Sequence, residues 1–435
     1  MSFRQAWLFW LKLGFISFGG PAGQIAIMHT ELVERRRWIS ETRFLHALNY
    51  CMVLPGPEAQ QLATYLGWLM HRTWGGIVAG ALFVLPSLAL LIGLSWVYMA
   101  WGQVPVVAGV FMGIKPAVAA IVLHAAYRVS TRALKHRLLW ALAVAAFVAV
   151  YGLALPFPAI VAAAALIGWM GGRWAPEVFQ TQAHHASSSM HQGAAWLDDD
   201  TPTPPHAQAS TQRLMSVILI GLVLWALPMI VMTWLWGWQH TLTQMGWFFT
   251  KAALLTFGGA YAVLPYVLQG AVEHYAWLTP LQMMDGLALG ETTPGPLIMV
   301  VAFVGFVGGY AKALFGPDAL FLAGAMAAVC VTWFTFLPSF LFILAGGPWV
   351  ESTQRSLQFT APLTAITAAV VGVIMSLAVF FGAHVLWPQG LAGRFDVISA
   401  LMTLGAAAAL FRFKAHVMTV IGVCAVLGLA RTYLG

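Results

Sequence analysis

An all-helical, polytopic membrane protein built from two inverted-topology repeats is the fold that three observations predict. Of 435 residues, 60% are hydrophobic and 8% charged, against about 25% charged in soluble chains. The apolar stretches are long and do not alternate, which selects helices over a β-barrel. Open sheets are excluded because edge amides go unsatisfied in lipid. Finally, the two halves of the chain align with each other.

Taken in order, apolar segments fall near 6–30, 44–70, 77–101, 106–126, 138–152 and 159–174, then 214–236, then 245–269, 281–310, 320–345, 359–381, 395–411 and 416–433. The pattern is six, one and six. It divides the chain into a first repeat (1–175), a flexible polar linker (176–213), a connecting transmembrane helix (214–236) and a second repeat (237–435). The linker holds Ser187, Ser188, Ser189, Asp198, Asp199, Asp200, Pro202, Pro204 and Pro205, a composition that resists helix and strand alike. Its His184, His185, His191 and His206 lack cysteine partners and fixed spacing, so a solvated linker is favoured over a metal site. Residues 1–10 lack the charged start and small-residue cleavage site of a signal peptide, so the first apolar segment is expected in the mature protein.

The formal charge of +7 does not point to nucleic acid, because the basic residues sit in short loops between apolar runs rather than beside aromatics. Cys51, Cys330 and Cys424 lie far apart within apolar segments and read as small buried hydrophobes, with no disulfide framework.

A shift of 239 residues aligns 12–57 with 251–296 without a gap, giving eleven identities in 46 positions. Ser17-Phe18-Gly19-Gly20 meets Thr256-Phe257-Gly258-Gly259, Trp38 meets Trp277, and Pro55-Gly56-Pro57 meets Pro294-Gly295-Pro296. Leu85-Pro86-Ser87 answers Leu337-Pro338-Ser339 further on. The loop with Arg35, Arg36 and Arg37 has a counterpart, 270–277, without lysine or arginine. By the positive-inside rule the two loops face opposite sides, with segment 214–236 performing the flip. A second basic loop, with Arg128, Arg132, Lys135 and Arg137, is separated from the first by three apolar segments. The two share a side only if segment 44–70 enters and returns at Pro55-Gly56-Pro57. Broken or re-entrant helices are therefore expected at the Pro-Gly-Pro and Gly-Gly sites.

Such breaks survive in lipid only where they are buried in protein or line a cavity. Each one exposes a fresh helix N-terminus, which carries about half a positive charge. Two kinds of break, each repeated in register, favour an anion site over packing kinks. The candidate substrate-binding set is Ser17, Gly19, Gly20, Gln24, Pro55, Gly56, Pro57, Thr256, Gly258, Gly259, Thr292, Thr293, Pro294, Gly295 and Pro296. Asn49, Gln60, Gln61, Thr64, Tyr261 and Asp285 add polar groups nearby. Glu58 and Glu291 are candidates for coupling or gating, either as proton carriers or as helix caps. Lys12, Lys251 and Lys115 join them, although Lys12 and Lys251 lie near segment ends where lysine also snorkels. There is no nucleotide-binding Gly-rich loop and no zinc-binding His-Glu-x-x-His, so no cofactor and no enzyme activity are expected.

Gly14-Phe15-Ile16-Ser17-Phe18-Gly19-Gly20-Pro21-Ala22-Gly23-Gln24, Arg35-Arg36-Arg37-Trp38 and Leu54-Pro55-Gly56-Pro57-Glu58-Ala59-Gln60-Gln61 resemble the chromate ion transporter family. So do Thr256-Phe257-Gly258-Gly259-Ala260-Tyr261 and Thr293-Pro294-Gly295-Pro296 in the second half. The resemblance is to its long two-domain type and covers both halves without the linker. It implies export of the chromate dianion across the bacterial inner membrane, conferring chromate resistance, with sulfate as a second ligand to test and a homodimer left open. Moving a dianion outward down an inside-negative potential gains about 4.6 kcal/mol per 100 mV, a roughly 10³-fold gradient. Uptake would need at least three cotransported protons. The rival expectations are a sulfate or oxyanion uptake carrier and an intramembrane enzyme. The enzyme reading needs a redox site or His/Asp cluster that the sequence lacks.

Overall fold

The computed structural model describes residues 2–18, 20–179, 195–352, 360–390 and 392–434. Gly19 and the linker residues His184, His185, His191 and Ser187 to Ser189 lie outside them. The described residues are all-helical apart from one isolated bridge between Ile39 and Leu197.

The first half opens with α1 (Phe3–Ile16), α2 (Gly20–His29) and a π-helical turn (Thr30–Arg35), followed by α3 (Glu41–Val53) and α4 (Glu58–Trp101). Then come α5 (Pro105–Ala133), α6 (Arg137–Tyr151), α7 (Phe157–Trp174) and the single turn α8 (Pro176–Phe179). The connecting helix α9 spans Thr211–Trp236. The second half begins with α10 (Thr241–Leu254), α11 (Ala260–Leu268), a π-helical turn (Gln269–His274) and α12 (Pro280–Thr292). A 3₁₀ turn (Leu297–Met299) leads into α13 (Val300–Ala311), and α14 (Leu320–Ser352), α15 (Thr360–Leu386), α16 (Val397–Phe411) and α17 (Val417–Leu434) complete the chain.

Local geometry repeats at the same 239-residue spacing. The Trp38 amide donates to the Leu32 carbonyl and the Trp277 amide to Ala271, each at 2.7 Å. Arg37 and Ala276, immediately before the two tryptophans, both adopt positive φ (51° and 48°). Ser40 and Thr279 cap α3 and α12 through their hydroxyls, satisfying an amide that would otherwise be orphaned at the helix start.

Seven helices among the described residues are long and apolar enough to cross a membrane, fewer than the thirteen apolar segments. The breaks account for much of the difference, since they divide segments into arms of 9 to 14 residues. At 1.5 Å per residue these arms reach about 14–21 Å, short of a bilayer core of about 30 Å. The arms fold back as hairpins. Tyr50 and Tyr65, equally spaced about Pro57 and Glu58, have ring centroids 5.9 Å apart. Gly286 abuts the Phe303 ring in the same way across Pro294-Gly295. In the Gly-Gly hairpins Phe9 meets Trp38 at 5.3 Å, and Phe248 meets Trp277 at 5.6 Å.

Helix α4 is itself two antiparallel arms. Non-helical backbone at His71 and Arg72 turns the chain, and Gly67 then packs against Gly75 and Ala79. This is where the sequence pattern separates segments 44–70 and 77–101.

The halves interlock instead of lying side by side. Gly168 of α7 packs on Ala361 and Ala365, and Gly372 of α15 on Ala143 of α6. Reciprocally, Gly113 of α5 packs on Cys424 and Gly428 of α17, so closely that a Cβ there would strike backbone. Small residues are how helices approach each other where lipid supplies no hydrophobic drive. The three cysteines are free, Cys51 and Cys424 buried and Cys330 partly so.

The linker's described end forms a strap on the first repeat. The Trp196 and Leu197 amides donate to the Arg37 and Trp38 carbonyls at 2.9 and 3.1 Å. Ser40 Oγ donates to Asp199 at 2.5 Å, and His206 Nε2 lies 3.0 Å from the Trp68 carbonyl.

Candidate functional site

The four hairpin tips meet in pairs, each pair drawn from opposite repeats. The Gly56 amide donates to the Thr256 carbonyl at 2.7 Å, and the Gly295 amide donates to the Ser17 carbonyl at 2.8 Å. These two bonds are equivalent under the 239-residue shift. They satisfy backbone groups that the breaks leave orphaned, a requirement in lipid. Gly56 and Gly295 sit at φ 128° and 108°, which side chains bearing a Cβ rarely adopt. The Pro-Ser steps of the long helices back the tips: Ser339 of α14 lies against Gly56, and Ser87 of α4 against Gly295.

Polar side chains fill in around the paired tips. Gln24 Nε2 donates to the Gly295 carbonyl at 2.5 Å and to Ser17 at 3.3 Å, bridging two tips. Gln61 Nε2 donates to Pro55 at 2.7 Å. Ser17 Oγ and the Oε1 atoms of Gln24, Gln60 and Gln61 are buried with no partner, and all four residues are fully buried. An unmet buried polar atom costs about 1–3 kcal/mol, so these four beside the paired tips make this the candidate site. The Thr256, Thr292 and Thr293 hydroxyls instead donate to helix carbonyls one turn earlier. Gly20, Gly258 and Gly259 adopt positive φ at the tips. Pro57, Pro294 and Pro296 lie in the turns beside them, and all three are buried.

The charged candidates divide by position. Glu58 opens the first arm of α4 and Glu291 closes α12, so each stands beside a Pro-Gly-Pro tip. Glu291 accepts a hydrogen bond from the Tyr261 hydroxyl of α11, which ties the two hairpins of the second repeat together. Lys12 lies in a small groove with Phe9, Leu13, Ile16 and Glu31. Lys251 sits over the Trp247 ring, 5.7 Å from its centroid. Lys115 pairs with Asp285 at 3.5 Å.

Hydropathy places two basic residues in a loop that the structure puts in a helix. Arg128 and Arg132 belong to the last turns of α5, which runs on to Ala133 past the end of its apolar segment. Arg132 acts electrostatically on Glu58, and Arg128 on Glu291 and Tyr261. Their i, i+4 spacing, which sets both on one helix face, was the available signal. Ser87 and Ser339 were visible as a repeated Leu-Pro-Ser without any sign of what they touch.

The chromate transporter family model matches residues 4–169 and 243–429, each opening on two hairpins. The chain belongs to the chromate transporter family. This family member is 33% identical to a chromate transport protein of Pseudomonas aeruginosa over 383 residues, 86% of the chain and 80% of that relative. It is 28% identical to a chromate transport protein of Cupriavidus metallidurans over 413 residues, 94% and 88% of the two chains. A probable chromate transport protein of Synechococcus elongatus is 29% identical over 404 residues, 92% and 90%. No solved structure matches the chain.

Proposed function

We propose that the protein exports the chromate dianion from the cytoplasm across the bacterial inner membrane, holding the anion where the four hairpin tips cross. The observation that carries this reading is the reciprocal pair of bonds, Gly56 to Thr256 and Gly295 to Ser17. Each bond brings two helix starts together, the first arm of α4 with α11 and the 3₁₀ turn into α13 with α2, and the proposal sets all four around one anion. At about half a charge per helix start, four starts supply roughly two positive charges, which matches a dianion. Ser17 Oγ is a free hydroxyl beside them, and Arg128 and Arg132 form the electropositive approach.

The two repeats lie in the membrane with opposite orientation, so the Pro-Gly-Pro hairpins dip in from opposite sides and meet at the crossing. Backbone amides recognise charge and tetrahedral shape, not the central atom, so sulfate is expected to compete. The driving force is the membrane potential, which favours outward movement of a dianion without ATP.

Accumulation of chromate in inside-out vesicles under an imposed potential, without ATP, tests this. Expected is accumulation when the lumen is positive, reduced by sulfate and by Ser17→Ala. Accumulation that ignores the sign of the potential, or that needs ATP, would sink the proposal.

A further inference from the structure

Asp285 stands apart from the tips, more than two helical turns before Pro294 along α12. It is 2% exposed. Its Oδ2 accepts a hydrogen bond from the Tyr98 hydroxyl at 2.9 Å and pairs with Lys115 Nζ at 3.5 Å. Its Oδ1 is buried without a partner. The Lys115 side chain is 24% exposed, so the pair has one accessible end and one sealed end. Helix α12 packs against α4, α5, α13, α15 and α17. Among the described residues, the charged or titratable groups acting on Asp285 from those elements are Lys115 of α5 and Tyr98 of α4.

The equivalent position in the first repeat is His46, which lies 3.2 Å from the Val350 carbonyl. The buried carboxylate is therefore a feature of one half, as a single coupling-ion site would be. A pair built for stability would meet all of its acceptors, because the desolvation of a buried charge is repaid only by close geometry and full hydrogen bonding. Here the lysine contact is long and one oxygen is unmet.

We propose that Asp285 is the proton-exchange site of the transport cycle, with Lys115 as its internal counter-ion; this rests on the reading of the chain as a dianion carrier. The carboxylate takes up one proton to become a neutral acid, no other bond changes, and the pair passes from net zero to net +1. In the charged state the pair pins α12 to α5. In the neutral state that attraction is gone and the hairpin ending at Pro294-Gly295-Pro296 is released to move.

The test uses the full-length protein in proteoliposomes with a lumenal pH dye, measuring chromate accumulation against imposed potential. A lone dianion changes tenfold per ~30 mV, since one charge requires ~60 mV. With one proton the wild type is expected at ~60 mV per decade if both move together, or ~20 mV if they exchange, with a matching dye signal. Asp285→Asn is expected to keep chromate movement, shift to ~30 mV from either wild-type value and lose the dye signal. A wild type at ~30 mV with a silent dye overturns the proposal, as does Asp285→Asn with unchanged slope and dye response. Should Asp285→Asn move no chromate, Asp285→Glu decides: coupled movement with a displaced pH profile supports the site, and an unaltered profile overturns it. A wild type that moves no chromate at any potential refutes the chromate reading instead, and sulfate then serves as the probe for the same two measurements.

Discussion

Replacing Gly295 by alanine should be among the most damaging single-methyl changes in this protein. At φ 108° the residue lies outside the regions open to alanine, and holding it there costs about 1–3 kcal/mol. The new Cβ would also sit 2.8 Å from Ser87 Cβ. That atom is fixed to the α4 backbone and cannot rotate away, so overpacking adds about 1–3 kcal/mol. Any shift that relieves the clash stretches the 2.8 Å bond from the Gly295 amide to Ser17, a buried bond worth about 1 kcal/mol. These effects overlap, giving a total of about 2–5 kcal/mol, a large share of the roughly 5–15 kcal/mol that holds a typical fold. Gly20→Ala is the matched control. Its φ is 72°, and nothing lies within 4 Å of an added Cβ, so it should cost about 1–2 kcal/mol. Thermal unfolding of the purified proteins in detergent, run beside chromate uptake, measures both variants. Gly295→Ala should lose far more stability and uptake than Gly20→Ala, and equal losses would refute the argument that the tips are packed through their glycines.

Further expectations follow from the same geometry. Ser17→Ala removes a buried hydroxyl with no protein partner, so the unliganded protein should hold or gain stability, by up to about 1–3 kcal/mol, while chromate binding, followed by calorimetry, weakens. Arg128→Gln and Arg132→Gln should slow uptake at low chromate and reduce its salt dependence, because exposed cations act mainly on approach; an unchanged salt profile would count against their role. Burial pushes His206 below its ordinary range, against hydrogen bonds to the Trp68 and Leu69 carbonyls that pull it up. Its neutral form is thus favoured in the docked strap, so strap stability is full above about pH 6.5 and declines as pH falls from there through the folded value. Hydrogen exchange at 195–207 should accelerate on acidification, and His206→Asn should flatten that dependence.

The breaks were legible in the sequence because glycine and proline act locally. Gly56 and Gly295 need no neighbour to announce a turn, and the 239-residue register showed that the turn occurs twice. The turn at His71 and Arg72 could likewise be placed, from the lapse in apolar residues between 70 and 77. How the tips pair was not legible, because a hydrogen bond from Gly56 to Thr256 joins residues 200 apart and depends on how the halves interlock. Arg128 and Arg132 were hidden for a different reason. Hydropathy ends at residue 126, whereas the helix continues amphipathically for two more turns, so charged residues beside the hairpins resembled a loop. Asp285 was visible as a polar residue near a break, but its partner Tyr98 lies 187 positions away in sequence.

Anomalous scattering at the chromium edge, from crystals grown with chromate, tests most directly whether an anion occupies the place where the tips meet. The predicted result is one peak per protein, surrounded by Ser17, Gly56, Thr256 and Gly295 and within reach of the Gln24 and Gln61 amides. A peak among the surface arginines with none at the crossing would contradict it.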